Sequence, residues 1–436
     1  MIIGASFIIQ NAFAPVLQDH AVIMADGYVQ AVLPLRYRDH LAGVEWDGQW
    51  QPVDFYLENH VLAPGFVNTH THAAMTLFRG FADDLPLKTW LQEKIWPLEQ
   101  RFVSEEMVYD GTLLAAAEML RAGTTTFTDM YFFPEEARKA AQNLGIRAIL
   151  GLVVMDVPTP YAENAKIYLE RAAALLQENK ALYYLAPHAP YTVTDDTLIK
   201  IRNMAHQYGC PIGMHVHETD GEVKESLAGY GIRPIERLKR LGLFDMPFLS
   251  VHSVHVDEEE IALFAEKGVS IAHCPASNLK LASGIAPLHT MKKHGVRISI
   301  GTDGAASNNT LDMVAEMRLA SLLAKVSGQA ATAFPAKEAF YAATEGGAKA
   351  LGLDDVGCIE KGFYADIVAF DYAAIETLPL FDPLAQIVYT APKEAITHVW
   401  VNGNVVLKDR MLQNITMGEL RMIAENWQRR FLKESL

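Results

Sequence analysis

Eight short apolar runs, separated by stretches of helical periodicity, constrain this chain more than any other feature. They are GFVNTHTH, GTTTFTDM, RAILGLVV, LYYLAPHAP, PIGMHVHE, FLSVHSVH, VSIAHCPAS and VRISIGTDG. Runs this apolar suit strands buried on both faces, the situation in a parallel sheet covered by helices. The segments between them, such as MVYDGTLLAAAEMLRAG and EEIALFAEKG, repeat their apolar residues at helical spacing. Strand–helix alternation carried through eight units closes naturally on itself. The chain is therefore read as α/β, a (β/α)8 TIM-type barrel over residues 61–363. Such a barrel needs about 250 residues, and the 436 present leave room for a second unit.

That second unit is sought at the two ends. Residues 1–60 read as short β-rich runs, SFIIQNA, AVIMADG and YVQAVLP, broken by Gly, Pro, Asp and Asn. Similar runs return in ADIVAFD, HVWVNGNVVLKD and RMLQNIT, with Asn-Gly between two apolar runs as a hairpin signal. The expectation is a small β-sandwich domain built from both chain ends, residues 1–60 with 364–412. A C-terminal amphipathic helix is expected over 413–436.

Composition narrows the partners. Half of the residues are hydrophobic and a fifth charged, enough apolar surface for a large core. A formal charge of −15 with no basic stripe would repel phosphate backbones and anionic membranes, so neither a nucleic-acid polymer nor a membrane is an expected partner. The three cysteines, Cys210, Cys274 and Cys358, form no CxxC pair and no disulfide framework, which fits a reducing cytoplasm. The first residues lack a basic signal-peptide region, and no run reaches the roughly 18 apolar residues that span a bilayer. A homo-oligomer is compatible with all of this.

In a barrel of this kind the active site lies at the C-terminal ends of the strands. Polar residues concentrate there: His70-Thr71-His72 after the first run, His188 after the fourth and His215-Val216-His217-Glu218 after the fifth. His252 and His255 follow on the sixth, His273 on the seventh and Asp303 on the eighth. Any one of these histidines is by itself more simply a satisfied core or surface residue. The set is better explained by one catalytic metal. Alternate strand residues share a face, so His70 and His72 can grip one ion, with Asp303 and a histidine of the 215–217 segment completing the shell. Imidazoles plus a carboxylate suit Zn²⁺, although Fe²⁺ or Mn²⁺ could take the same ligands. The ion would lower the pKa of a water toward about 7. Glu218 is placed to act as general base and then acid. His252 could hydrogen-bond the attacking oxygen, and Asp303 could both ligate and relay a proton to the leaving group. A non-catalytic metal scaffold is the rival, and the adjacent Glu218 speaks against it.

APGFVNTHTHAAMTLFRG, MHVHET, SVHSVH, HCPASNLKLASGIAPL and GTDGAASNN together resemble the amidohydrolase superfamily over nearly the whole chain. Within it the chain most resembles the 5′-methylthioadenosine/S-adenosylhomocysteine deaminases. The resemblance implies one divalent metal per chain with no carboxylated-lysine bridge, and LYYLAPHAP offers His188 and no lysine. It implies His215 as the ligand and Glu218 as the catalytic acid of an HxxE motif, leaving the roles of His217 and His255 open. It further implies that Glu99 in KIWPLEQRF holds ribose hydroxyls, that His188 faces purine or ribose, and that Ser307 lines the same pocket. The implied reaction is hydrolytic deamination of the adenine ring of 5′-methylthioadenosine, S-adenosylhomocysteine or adenosine to the inosine analogue. A guanine or triazine-type amidohydrolase is the alternative. The family's S-adenosylhomocysteine users carry an arginine after the third strand, and LVVMDVPTPYAENAK has none. Arg147, just before that strand, is the remaining candidate for a substrate contact, and methylthioadenosine is the favoured substrate.

Overall fold

The computed structural model of the chain describes residues 1–435. Its centre is a parallel sheet of eight strands: β1 (Phe66–Asn68), β2 (Thr124–Asp129), β3 (Arg147–Val154) and β4 (Tyr183–Pro187), then β5 (Ile212–Val216), β6 (Phe248–His252), β7 (Ser270–His273) and β8 (Arg297–Ile300). Each strand is hydrogen-bonded to its neighbours in chain order. The ring closes where β8 meets β1: the Thr69 N–H donates to Ile300 O at 3.1 Å and the Asp303 N–H to His70 O at 2.9 Å. Every residue of β2, β4, β5, β6 and β7 is buried. Burial on both faces is why these runs show continuous apolarity instead of alternation.

The helices between the strands start on side-chain caps close to the barrel mouth. Thr219, directly after Glu218, accepts the Glu222 N–H to begin the helix Asp220–Tyr230. Asp257 and Glu260 form a reciprocal capping box at the start of Glu258–Lys267. Such caps fix where each strand-to-helix loop ends, and so fix the loops that carry the polar residues.

A second eight-stranded sheet joins the chain ends. Its order runs Met411–Leu412, Asn404–Lys408, Ile396–Val401, Ile367–Asp371, Phe55–Pro64, Ile2–Ile8, Leu17–Ala25, Tyr28–Pro34. Val368 and Phe370 face the barrel-side core, while Ile367 and Ala369 pack with Ile3, Ala5, Leu62 and Trp400 on the other side. This is the period-two pattern of a strand buried on both faces. A three-stranded meander, Arg36–Arg38, Leu41–Trp46 and Gln49–Pro52, covers Ile2, Ala21 and Ile23 with Val44 and with Leu35, which precedes it. The α/β barrel with a separate sheet from both ends is as read from the sequence. The expected division at residue 60 falls inside the strand Phe55–Pro64, which runs through Gly65 directly into β1. A Cβ on Gly65 would lie 2.2 Å from Thr125 Oγ1, so the crossing between the two sheets needs glycine. The last helix, Met417–Ser435, docks on the barrel through Trp427, whose Nε1 donates to Asp110 at 2.8 Å. No helix among the described residues is long and apolar enough to cross a membrane.

Candidate metal and catalytic site

β1 is shorter than its apolar run suggests, and His70 and His72 lie past its end. They keep strand-like alternation because the extended segment is pinned on both sides. Asn68 bonds Thr302 through both amide atoms, at 3.0 Å to the backbone N–H and 2.7 Å to Oγ1. Thr71 Oγ1 donates to Thr128 O at 2.7 Å, and Asp129 accepts the Ala73 N–H at 2.7 Å. The two imidazoles therefore face one point in the barrel mouth.

Four donor atoms meet there. His70 Nε2 is 3.2 Å from His215 Nε2, and Asp303 Oδ1 is 3.4 Å from His70 Nε2 and 3.3 Å from His72 Nε2. His70, His72 and His215 form one group with metal-ligand spacing, and His70, His252 and Asp303 another. His72 Nδ1 donates to Met130 O at 2.6 Å and His215 Nδ1 to His188 O at 2.8 Å, which leaves each Nε2 lone pair turned inward. Burial lowers the pKa of His70 to about 4 and that of His188 to about 3, and holds His215 well below the ordinary value. These imidazoles are thus neutral at pH 7, the form that binds metal. For Asp303 burial acts upward, but the imidazoles around it prevail and hold its carboxyl well below the usual range. Lone pairs crowded together without protons between them are what a divalent cation relieves, so the residues fit the ion expected from the sequence.

Asp303 is held from outside: its Oδ2 accepts Ser277 Oγ at 2.6 Å and its Oδ1 the Gly304 N–H at 2.7 Å. Its backbone is left-handed, with φ of 62°, a conformation Asp tolerates better than most residues. Gly301 lets this turn close, since a Cβ there would sit 2.8 Å from His70 N.

Glu218 follows β5 and is buried, which raises its carboxyl pKa. Its Oε2 is 3.8 Å from His252 Nε2, and its Oε1 accepts Ser283 Oγ at 3.4 Å. His217 resolves differently from His215. Its φ of 54° turns the chain out of the strand, and its Nδ1 lies 3.5 Å from Glu260 Oε2, away from the metal group. His255 donates from Nε2 to Ser283 O at 2.6 Å. His273 is buried, with neither ring nitrogen hydrogen-bonded among the described residues.

A cavity of about 270 Å³ opens over the metal group. His72, His188, His215, Glu218, His252, Asp303 and Ser307 all line it, and Glu99 does so on the wall formed by Trp90, Trp96, Tyr131 and Phe132. Glu99 Oε1 accepts Tyr131 OH at 2.8 Å, and the apolar wall pushes its carboxyl up to about 7. A wider cavity of about 1030 Å³ adjoins, sharing Leu87, Leu91, Trp96, Val157, Tyr191 and Glu218 with the first.

Arg147 is the one expected site residue that the structure sets elsewhere. It opens β3 at the N-terminal end of the barrel, where it pairs with Asp366 and Asn402 and lies over the Tyr364 ring. Its expected substrate contact is corrected for a geometric reason: the pocket is at the other end of the strand. Sequence reasoning also passed over three groups around the site. Glu222 accepts the N–H groups of His217 at 2.9 Å and Glu218 at 3.0 Å, and the Thr219-x-x-Glu222 spacing of a capping box was its visible signal. Ser277 and Asn278 lie in the PASN stretch, which has no motif chemistry of its own.

Comparisons with known proteins place the chain in a family. A sequence model of the Amidohydrolase family matches residues 61–406. A 5-methylthioadenosine/S-adenosylhomocysteine deaminase of Saccharophagus degradans is 40% identical over 98% of this chain and 96% of its own. Another, from Thermodesulfovibrio yellowstonii, is 45% identical over 85% of both chains. A crystal structure of an adenosine deaminase from Xanthomonas campestris with bound zinc superposes with a TM-score of 0.93 at 43% identity, covering 99% of this chain and 98% of that one.

Proposed function

The chain belongs to the amidohydrolase family, and on that premise we propose that it hydrolyses the adenine amino group of adenosine-type nucleosides, with 5′-methylthioadenosine preferred. It is a metal-dependent deaminase. The observation that carries the substrate reading is that one cavity is lined by His72, His215, Asp303 and Glu218 of the candidate centre and also by Glu99 and the aromatic rings of Trp90, Trp96, Tyr131 and Phe132. The relatives named for methylthioadenosine and S-adenosylhomocysteine support it.

His70, His72, His215 and Asp303 would hold one divalent ion, zinc by preference. When bound, that ion supplies an acidified water as the nucleophile at neutral pH. The protein's own groups manage its protons. Glu218, whose buried carboxyl keeps a proton more readily than an exposed one, carries the first water proton to N1 as oxygen attacks C6. His252 Nε2 hydrogen-bonds the attacking oxygen and opposes its drift. Asp303 takes the second proton from the new C6 hydroxyl and passes it to the amino group, which leaves as ammonia while C6=O forms. Glu99 accepts the ribose hydroxyls, His188 faces the purine or ribose, and Ser307 lines the same pocket.

The preference for methylthioadenosine rests on the cations. Among the described residues lining the two cavities only Lys88 and Lys280 are basic, and they pair with Glu225 at 2.7 Å and Asp83 at 2.6 Å. A carboxylate-bearing tail finds no unpaired cation of the kind that favours it. Zinc-loaded protein offered methylthioadenosine, S-adenosylhomocysteine, adenosine and guanine side by side should release ammonia fastest from the first. Release from guanine alone would sink the adenine reading.

A further inference from the structure

The PASN stretch is the most specific piece of sequence near the site without an assigned task, and its surroundings suggest one. Pro275–Lys280 forms a short helix that follows β7. Its start is anchored by Glu316, a fully buried carboxylate that accepts the Ala276 N–H at 3.1 Å and Asn308 Nδ2 at 2.8 Å. The next two residues reach the reacting groups. Ser277 Oγ donates to Asp303 Oδ2 at 2.6 Å, and Asn278 Oδ1 is 2.9 Å from His252 Nδ1. Asn278 is 1% exposed and His252 1% exposed, so no solvent competes for this bond.

The backbone of His252 makes such a partner matter. It is left-handed, with φ of 70°, and Ser253 follows at 49°. Two consecutive non-glycine residues in that region store strain that the surroundings must over-determine. An imidazole on that turn, able to rotate, could present either nitrogen to the cavity in either tautomer. An amide oxygen only accepts, so a bond to it requires Nδ1–H and leaves the Nε2 lone pair facing Glu218 Oε2, 3.8 Å away.

We propose that Asn278 is a positioning residue: its side-chain oxygen locks His252 in the Nδ1–H tautomer with Nε2 aimed at the reaction centre. Ser277, one residue earlier on the same turn, holds the second oxygen of Asp303. One buried turn therefore sets two groups that lie on different strands, β6 and the loop after β8. Glu316 fixes the turn from behind. This inference rests on the deaminase reading for its kinetic consequence, whereas the tautomer lock rests on the Asn278 Oδ1 contact with His252 Nδ1 and is tested without substrate.

Two measurements test it. In the full-length zinc-loaded enzyme, Asn278→Leu, similar in size and unable to accept, should lower kcat roughly 10–100-fold, the usual cost of losing an outer partner. KM should stay within about twofold and zinc content should be unchanged. Asn278→Asp, which keeps an acceptor, should recover most of that loss. In a His252→Ala background Asn278→Leu should change kcat by less than about twofold, because its effect acts through the missing ring. A merely structural role would give the same loss in both backgrounds and would overturn the proposal. Nitrogen-15 NMR of histidine-labelled protein gives the second readout, independent of any substrate. It should show His252 as the Nδ1–H tautomer in the native chain and as a mixture in Asn278→Leu. An Nε2–H tautomer in the native chain would also overturn it. Absence of turnover in the native enzyme with every nucleoside would instead defeat the deaminase reading and leave the NMR result to decide this one.

Discussion

At the scale of single residues, the proposed function assigns Glu218 to proton movement and Glu99 to substrate recognition, and their substitutions should differ in kind. Glu218→Gln keeps the shape and the hydrogen bonds of the backbone to Glu222, so metal content should match the native enzyme. Turnover should fall about 100–10,000-fold, the range for removing a general acid–base; a single-turnover assay with metal analysis checks it. Glu99 is proposed to act through binding. Each hydrogen bond to a charged acceptor is worth roughly 1.5–3 kcal/mol, so Glu99→Gln should raise the nucleoside KM about tenfold or more with little change in kcat. Its pH dependence has a definite sign. The carboxyl is pushed up to about 7 by burial against the aromatic wall, so it is protonated, and a poorer acceptor for ribose hydroxyls, below that pH. The kcat/KM profile should therefore fall as pH drops through about 7, and Glu99→Gln should lack that limb. His215 and His217 show what residue identity alone leaves open. They sit two apart and would share a face on a continued strand, but the left-handed turn at His217 sends it to Glu260.

At the scale of elements, the strand positions were legible and the strand ends were not. Buried parallel strands announce themselves as apolar runs, which is why all eight could be placed from the text. The candidate site residues sit just past them: His70 and His72 follow β1, His188 follows β4 and Asp303 follows β8. Those segments take their conformation from neighbours far away in sequence, such as Thr302 against Asn68. Close approach of elements makes one glycine decisive. A Cβ at Gly301 would meet His70 N at 2.8 Å and its Cβ at 2.9 Å. Gly301→Ala should cost about 1–3 kcal/mol as overpacking and should lower metal occupancy, because the displaced residue is a ligand candidate. Thermal melting and zinc stoichiometry on the same sample check both halves; unchanged zinc with a lowered melting point would show that His70 did not move.

At the scale of the whole molecule, the second sheet ties the two ends of the chain to the barrel on the side away from the pocket. Arg147 belongs to that tie. Its side chain is 14% exposed and its partner Asp366 is 1% exposed, and Asp366 also accepts the Asn402 N–H at 2.8 Å. Removing one member of a buried pair typically costs roughly 3–5 kcal/mol. Arg147→Ala should therefore lower the midpoint of urea unfolding clearly while the KM for methylthioadenosine stays within about twofold. A raised KM in the folded variant would return Arg147 to the pocket.

The sequence by itself determined the architecture and put candidate donors and an acid just past the apolar runs, because hydrophobic periodicity and short motifs are local properties of the text. The tertiary structure alone decided that the chain turns His217 toward Glu260, that Arg147 lies at the end of β3 away from the pocket, and that Ser277, Asn278 and Glu222 bond residues of the candidate site. Those choices depend on backbone turns and on contacts between segments tens to hundreds of residues apart. Sequence spacing does not encode such contacts; packing around the closed barrel does.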